Sequence, residues 1–136
     1  MKGAHRVLIA AQPAAWRLLQ TMLAGLVDLV PAHTSAEAFK ILAHDRIDLI
    51  VCTIAFDESQ MTDFLETVKR TVPASTVPFL CARVLKSVLR DSMVASMREA
   101  CIELGAVDLI DVANLPSDRA QTVVRAAVSS SLRPAK

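Results

Sequence analysis

The sequence lacks the features that mark several common classes of protein. Its 136 residues carry a net charge of only +1, whereas proteins that bind duplex nucleic acid usually show a basic stripe, so no nucleic-acid partner is expected. The apolar stretches are short and interrupted, so we expect neither a transmembrane helix nor a membrane partner. The first apolar run is too short for the core of a signal peptide, which favours a cytoplasmic protein. Glycine occurs only at Gly3, Gly25 and Gly105, so there is no glycine-rich phosphate-binding loop.

Clusters of metal ligands and of catalytic residues are also missing. Cys52, Cys81 and Cys101 lie in apolar segments with no CxxC pair and no histidine at ligand spacing. This pattern is typical of small buried hydrophobic residues in a reducing compartment. No Ser/His/Asp or Cys/His set falls at the end of a predicted strand. We therefore expect no metal, no cofactor and no enzymatic activity.

What the sequence contains is a regular alternation of apolar strands and amphipathic helices. Hydrophobic residues make up 53% of the chain and charged residues 21%, which favours a folded domain over disorder. The predicted strands cover residues 6–10, 28–32, 48–53, 77–82 and 107–112. The predicted helices cover residues 13–24, 36–44, 61–71, 86–104 and 117 to about 132.

This alternation predicts an α/β fold in three layers. Continuous apolar strands indicate a parallel sheet that is covered by helices on both faces. Because crossovers are right-handed, few topologies remain, and the flavodoxin-like strand order 2-1-3-4-5 is common for this length. We predict one domain over residues 1–136, with its core at about 5–132 and a loose C-terminal tail. In such folds ligands bind at the C-terminal ends of the strands, where the third strand ends in Thr53.

Six segments, in their order and spacing, are similar to the elements of one bacterial signalling family. They are RVLIAAQPAAWRLLQTML, AHTSAEAFKIL, DLIVCT, MTDFLETVK, VPFLCARV and ELGAVDLIDV. Over roughly residues 5 to 130 the chain resembles the receiver domain of response regulators. The resemblance implies the same flavodoxin-like fold and a place in two-component signal transduction or a phosphorelay.

The chain departs from receivers at every position that carries their chemistry. The resemblance places Thr53 where receivers have the phosphoacceptor aspartate, and Ala11 and Gln12 where they have the acidic residues that hold Mg²⁺. Arg83 stands in place of the Ser or Thr that ends the fourth strand, and Val112 in place of the lysine of the fifth. Forming an acyl phosphate needs a carboxylate nucleophile and a divalent cation, and Mg²⁺ usually needs one or two carboxylates. The sequence therefore predicts a pseudo-receiver that is not phosphorylated at Thr53 and does not bind Mg²⁺.

The side chain of Arg83 could fill the vacant pocket. A guanidinium grips a carboxylate in a fork, and Asp57, Glu58 and Asp111 are the carboxylates considered as its partners. The other interpretation of Asp57 and Glu58 is a solvated acidic loop.

Two segments differ in length from the receiver pattern. The loop after the third strand is about two residues longer, and the segment 83–105 about seven, which the apolar spacing predicts to be extra helical turns. Val88 and Leu89 are expected at the exposed start of this helix and form, with Asp57 and Glu58, the candidate interaction surface. If their side chains are buried instead, a charge placed there unfolds the domain. Met93 and Met97 of the same helix are expected in the core.

The sequence thus favours a stand-alone atypical receiver domain that acts as a phosphorylation-independent protein-interaction module. Its partner would be a signalling protein, a kinase or a second copy of the chain. The alternative is a sensor of a small ligand or anion in the crevice at the strand C-termini, where Arg83 could bind an anion. An enzyme is the third possibility, and Thr53 has no evident base to activate it.

Overall fold

A computed structural model describes residues 5–71, 74–86 and 89–132. Its centre is a sheet of parallel strands in the order β2-β1-β3-β4-β5, which confirms the flavodoxin-like prediction. The strands are β1 (Arg6–Ala10), β2 (Asp28–Ala32), β3 (Leu49–Thr53), β4 (Phe79–Arg83) and β5 (Asp108–Asp111). Val88 and the tail after residue 132 lie outside the described residues.

Helices cover both faces of the sheet. They are α1 (Pro13–Met22), α2 (Ser35–His44), α3 (Met61–Lys69), α4 (Val94–Glu103) and α5 (Ser117–Ser131). Pro13 begins α1, where its missing N–H breaks no helical hydrogen bond. The N-cap of α2 is Thr34, whose hydroxyl accepts a hydrogen bond from the Glu37 N–H. None of the helices in the described ranges is long and apolar enough to cross a bilayer.

The core lies on both sides of the two central strands. All five residues of β3 and all five of β4 are buried, as continuous apolar runs in a parallel sheet predict. Side chains alternate between the faces: Ile50 and Cys52 join the cluster that includes α3 residues, whereas Leu49 and Val51 join the cluster that includes α1 and α5 residues. This packing fixes the C-terminal ends of β3 and β4 as neighbours.

The predicted helix over residues 86–104 is wrong at its start, where the described residues 86 and 89–93 are not α-helical. Arg90 is extended, with φ −73° and ψ 149°, a 3₁₀ turn follows at Asp91–Met93, and α4 begins only at Val94. Met97 is half-buried against the core, but Met93 is 50% exposed, so the expectation that it lies in the core is also wrong. The spacing of apolar residues predicted a helix there, but hydrogen bonds from Arg83, described below, hold the segment in a different shape.

Candidate functional site at the strand tips

A cleft of about 420 Å³ opens at the C-terminal ends of the central strands. Its lining consists of Gln12, Ala15, Thr53, Ile54, Ala55, Arg83, Val84, Leu85 and Lys86. Three of the five predicted pocket positions, Gln12, Thr53 and Arg83, therefore line one space. The other two, Ala11 and Val112, are buried beside it, and their backbone N–H groups bond to Ala32 and Arg83 respectively.

Thr53 is a buried polar residue at the end of a buried strand. Only 4% of its surface is exposed, and its Oγ1 has no hydrogen-bond partner among the described residues. The next residue, Ile54, continues the ladder by donating its N–H to the Ala82 carbonyl. The hydroxyl therefore lies at the end of a buried strand with no partner in the part of the chain that the structure describes, which is uncommon for a buried polar group.

Arg83 lies on the neighbouring strand and is only 2% exposed. Its Nη1 donates to Asp111 Oδ2 at 3.2 Å, and its Nη2 lies 2.8 Å from Asp91 Oδ1 and 3.2 Å from the Leu89 carbonyl oxygen. Burial by itself lowers the pKa of the guanidinium, but the hydrogen bonds and charges of Asp91 and Asp111 outweigh it and raise that pKa. Arg83 is therefore a permanently charged group whose fork ties β5 and the segment before α4 to the tip of β4.

Asp111 is one of the three carboxylates that the sequence offered as partners for Arg83, and it was the right one. Asp57 is engaged elsewhere, because its carboxylate accepts a hydrogen bond of 2.9 Å from the Ser35 N–H at the start of α2. Asp57 and Glu58 both have left-handed backbone conformations, with φ of 48° and 61°, which cost energy for residues with a Cβ. The loop after β3 thus forms a turn that is tied to the start of α2, and neither Asp57 nor Glu58 lines the cleft.

Asp91 is the site residue that sequence reasoning missed. The hydrogen bond from Arg83, followed by one from Asn114, holds the pKa of its carboxyl below the usual value. The apolar spacing predicted that Asp91 lies inside the helix over residues 86–104. The only signal in the sequence was the extra length that the resemblance implied for the segment after Arg83; in the structure this segment folds back so that Leu89 and Asp91 bond to Arg83.

The lining of the cleft holds two cations and no carboxylate in the part of the chain that the structure describes. In those same residues, no group of three or more His, Cys, Asp or Glu side chains is placed to hold a metal ion. The three cysteines are fully buried with free thiols, as expected, and they lie in one core cluster. Burial, with the nearby Cys101, raises the pKa of the Cys52 thiol well above its usual value, which makes it a poor nucleophile.

The candidate interaction surface is only partly exposed. Leu89 is half-buried and packs against the core, and its carbonyl is bonded to Arg83, so it is not the free apolar residue that was expected. Glu58 is exposed and Asp57 half-buried. Among the described residues, the large apolar side chains with most exposure are Met93 at 50%, Ile102 at 43% and Val107 at 51%.

Comparison with known proteins identifies the fold. No family model matches the chain, and no curated protein matches its sequence. Among solved structures, the phosphorylated phytochrome response regulator RcpA of a cyanobacterium has a TM-score of 0.75 at 16% identity, over 99% of this chain and 98% of that one. A response regulator from Hahella chejuensis has a TM-score of 0.75 at 17% identity, over 95% and 96%.

A third similar structure is the receiver domain of a signal transduction histidine kinase from Syntrophus aciditrophicus. Its TM-score is 0.71 at 21% identity, over 95% of this chain and 90% of that one. These values establish the receiver-domain fold over nearly the whole length of both chains. At such identities they establish the fold alone.

Proposed function

We propose that this chain is a receiver-fold module of bacterial signal transduction that works without phosphorylation, through contact with a protein partner in the cytoplasm. The partner is a signalling protein, a kinase or a second copy of the chain. One observation carries the proposal: Thr53 and a buried, ion-paired Arg83 stand at the strand tips where the chemistry of receivers is placed.

The chemistry of these side chains supports the proposal. A phosphoryl group needs a carboxylate acceptor and a divalent cation that neutralises its oxygens. The cleft offers a hydroxyl, an amide and two cations instead, and no base lies in hydrogen-bond contact with the hydroxyl of Thr53 among the described residues. The nearest carboxylates to Arg83, Asp91 and Asp111, are its own counter-ions.

The shape of the segment after β4 supports contact as the mode of action. Arg83 binds the Leu89 carbonyl and the Asp91 carboxylate, and this anchor places Met93 at the surface immediately before α4. Methionine suits adaptable binding surfaces because its side chain is flexible and polarizable. We place the working surface at the Asp91–Met93 turn and the start of α4, in place of the half-buried Leu89.

A charge at Met93 tests this surface without disturbing the core. Met93→Glu is expected to remain folded and to weaken self-association, or capture of a partner from the native cell, by at least about tenfold, the equivalent of about 1.4 kcal/mol. Val107→Glu is the matched control, because Val107 is equally exposed but precedes β5, at the opposite end of the sheet from Arg83.

Two measurements read the result. Circular dichroism checks that both variants fold, and sedimentation velocity with quantitative pull-down compares their association. A folded Met93→Glu variant that associates as the unmodified chain does, or a Val107→Glu variant that loses association equally, contradicts the proposed surface.

A further inference from the structure

Three cysteine thiols lie together in the core, on one face of the sheet. Cys52 and Cys81 are paired in the register of β3 and β4, so their side chains leave the sheet on the same face. Cys101 of α4 belongs to the same core cluster, and all three residues are 0% exposed. The proposed partner contact uses none of these thiols, so their arrangement calls for its own explanation.

Cys81 and Cys101 form a pair within this cluster, because a hydrogen bond joins their thiols. This bond, together with burial, raises the pKa of Cys81. The same bond stabilises the Cys101 thiolate and lowers the pKa of Cys101 against the opposing effect of burial. The Cys52 thiol is engaged elsewhere, since its Sγ donates to the Thr53 carbonyl oxygen at 3.7 Å. Cys101 is therefore the best nucleophile of the three, with Cys81 beside it as a second thiol.

The helix that carries Cys101 is only lightly attached to the sheet. Cys101 is the one buried side chain of α4, whereas α3 has four. Val94 and Met97 of α4 are only partly buried against the core. A helix with so few buried contacts opens locally at a lower cost than the whole fold. The sulfur of Cys101 can therefore move toward Cys81, while the ladder between β3 and β4 holds Cys52 and Cys81 in their places.

We propose that Cys81 and Cys101 form a disulfide when the protein meets hydrogen peroxide, and that Cys52 stays reduced. The Cys101 thiolate attacks one peroxide oxygen, the O–O bond breaks, and Cys101 becomes a sulfenic acid while hydroxide leaves and takes up the proton that Cys101 released. The Cys81 sulfur then attacks the Cys101 sulfur. The S–S bond forms, the S–O bond breaks, and the leaving hydroxide takes the Cys81 proton as water. Two thiols thus lose two electrons and two protons, and one peroxide becomes two waters.

The disulfide would fix α4 to β4 by a covalent bond. Disulfides in a reducing compartment are usually transient and redox-sensing, and a small thiol reverses them by exchange. Hydrogen peroxide is close to water in size and needs only a small opening of α4, whereas Ellman's reagent is much larger. This inference goes beyond the proposed partner contact and does not depend on it.

Mass spectrometry of the folded protein tests the proposal. After treatment with hydrogen peroxide, the chain is expected to be about 2 Da lighter, because two hydrogens are lost. Alkylation in denaturant should then find one free thiol instead of the three in the reduced chain, and peptide mapping should find Cys81 joined to Cys101. Dithiothreitol should restore all three thiols.

Alanine variants separate the roles of the three cysteines. Cys52→Ala is the matched control, equally buried, and is expected to form the disulfide as the unmodified chain does. Cys81→Ala should stop at the Cys101 sulfenic acid, which dimedone traps, and Cys101→Ala should form neither a disulfide nor a sulfenic acid at Cys81. Circular dichroism checks that each variant folds, and the peptide map of the unmodified chain decides the proposal where one does not.

Three results overturn the proposal. The first is a folded chain that keeps all three thiols in peroxide. The second is a disulfide that forms only in urea, which would show that the pair is not oxidised in the folded protein. The third is a disulfide that joins Cys52 to either of the other two cysteines.

Discussion

Replacing Thr53 by valine is expected to make the protein more stable. The substitution keeps the branched shape of the side chain and removes a buried hydroxyl that has no partner among the described residues. Burying an unpaired hydroxyl costs about 1–3 kcal/mol, because the group loses its hydrogen bonds to water. Valine adds a buried methyl group worth about 0.8 kcal/mol, and imperfect packing at a strand end offsets part of both gains. The net expectation is a gain of about 1–2 kcal/mol in the free energy of unfolding.

Urea unfolding followed by circular dichroism measures this gain, and a thermal scan should show a rise of about 3–8 °C for a domain of this size. The control is Thr67→Val, whose hydroxyl is exposed and donates to the Asp63 carbonyl; its effect should stay within about 0.5 kcal/mol. A loss of stability in Thr53→Val would refute the reasoning, since it would show that the hydroxyl is paired in solution.

Four further predictions concern the site, its surroundings and the core. Arg83→Met is expected to lower the free energy of unfolding by about 1–3 kcal/mol, because the charge-assisted hydrogen bonds to Asp91 and Asp111 are lost while both carboxylates can still reach water. Urea unfolding measures this loss. An unchanged free energy of unfolding would show that Arg83 does not anchor the strand tip. The hydrogen bond from Arg83 holds the pKa of Asp91 below its usual value in the folded protein. The Arg83–Asp91 ion pair therefore contributes stability at a pH above the pKa of Asp91 in the unfolded chain. This contribution is lost as the pH falls below about 4 and through the pKa of Asp91 in the folded protein. In Asp91→Asn, the free energy of unfolding measured as a function of acid pH should not show this loss. Glu58→Gly should raise the free energy of unfolding by about 1 kcal/mol, because glycine adopts the left-handed conformation at this position without a Cβ penalty. Glu66→Gly, inside α3, should lower it by about 1 kcal/mol. Similar effects from both variants would show that the backbone at Glu58 is not strained. The three buried thiols should react with Ellman's reagent only after unfolding, and reaction in the native protein would contradict their burial.

The sheet could be predicted from sequence because each strand carries its own signal. The run Leu49–Thr53 is apolar at nearly every position and is buried at all five, which is what a central parallel strand requires. Pro31 lies in β2, which forms an edge of the sheet, where a residue without an N–H to donate is tolerated. These local signals agree with one another, and right-handed connections then leave few arrangements.

The segment after β4 could not be predicted because its shape depends on a tertiary contact. Apolar residues recur at helical spacing from residue 85 onward, but the guanidinium of Arg83 donates hydrogen bonds to the Leu89 carbonyl and to the Asp91 carboxylate. Those bonds compete with helical ones, and α4 begins only after them. The same limit applies to Asp57, where a side-chain bond to the Ser35 N–H accompanies a backbone conformation that residue preferences disfavour.

The most direct test of the central claim is intact-mass analysis after incubation with acetyl phosphate and Mg²⁺, with an ordinary receiver domain as positive control. Amide NMR spectra in beryllofluoride and Mg²⁺ follow the same site without a covalent product. Because the cleft offers no carboxylate in the described residues, we predict no added phosphoryl mass and no change in the amide signals of β3 and β4. Stoichiometric, Mg²⁺-dependent labelling of Thr53, or of any other residue, would contradict it.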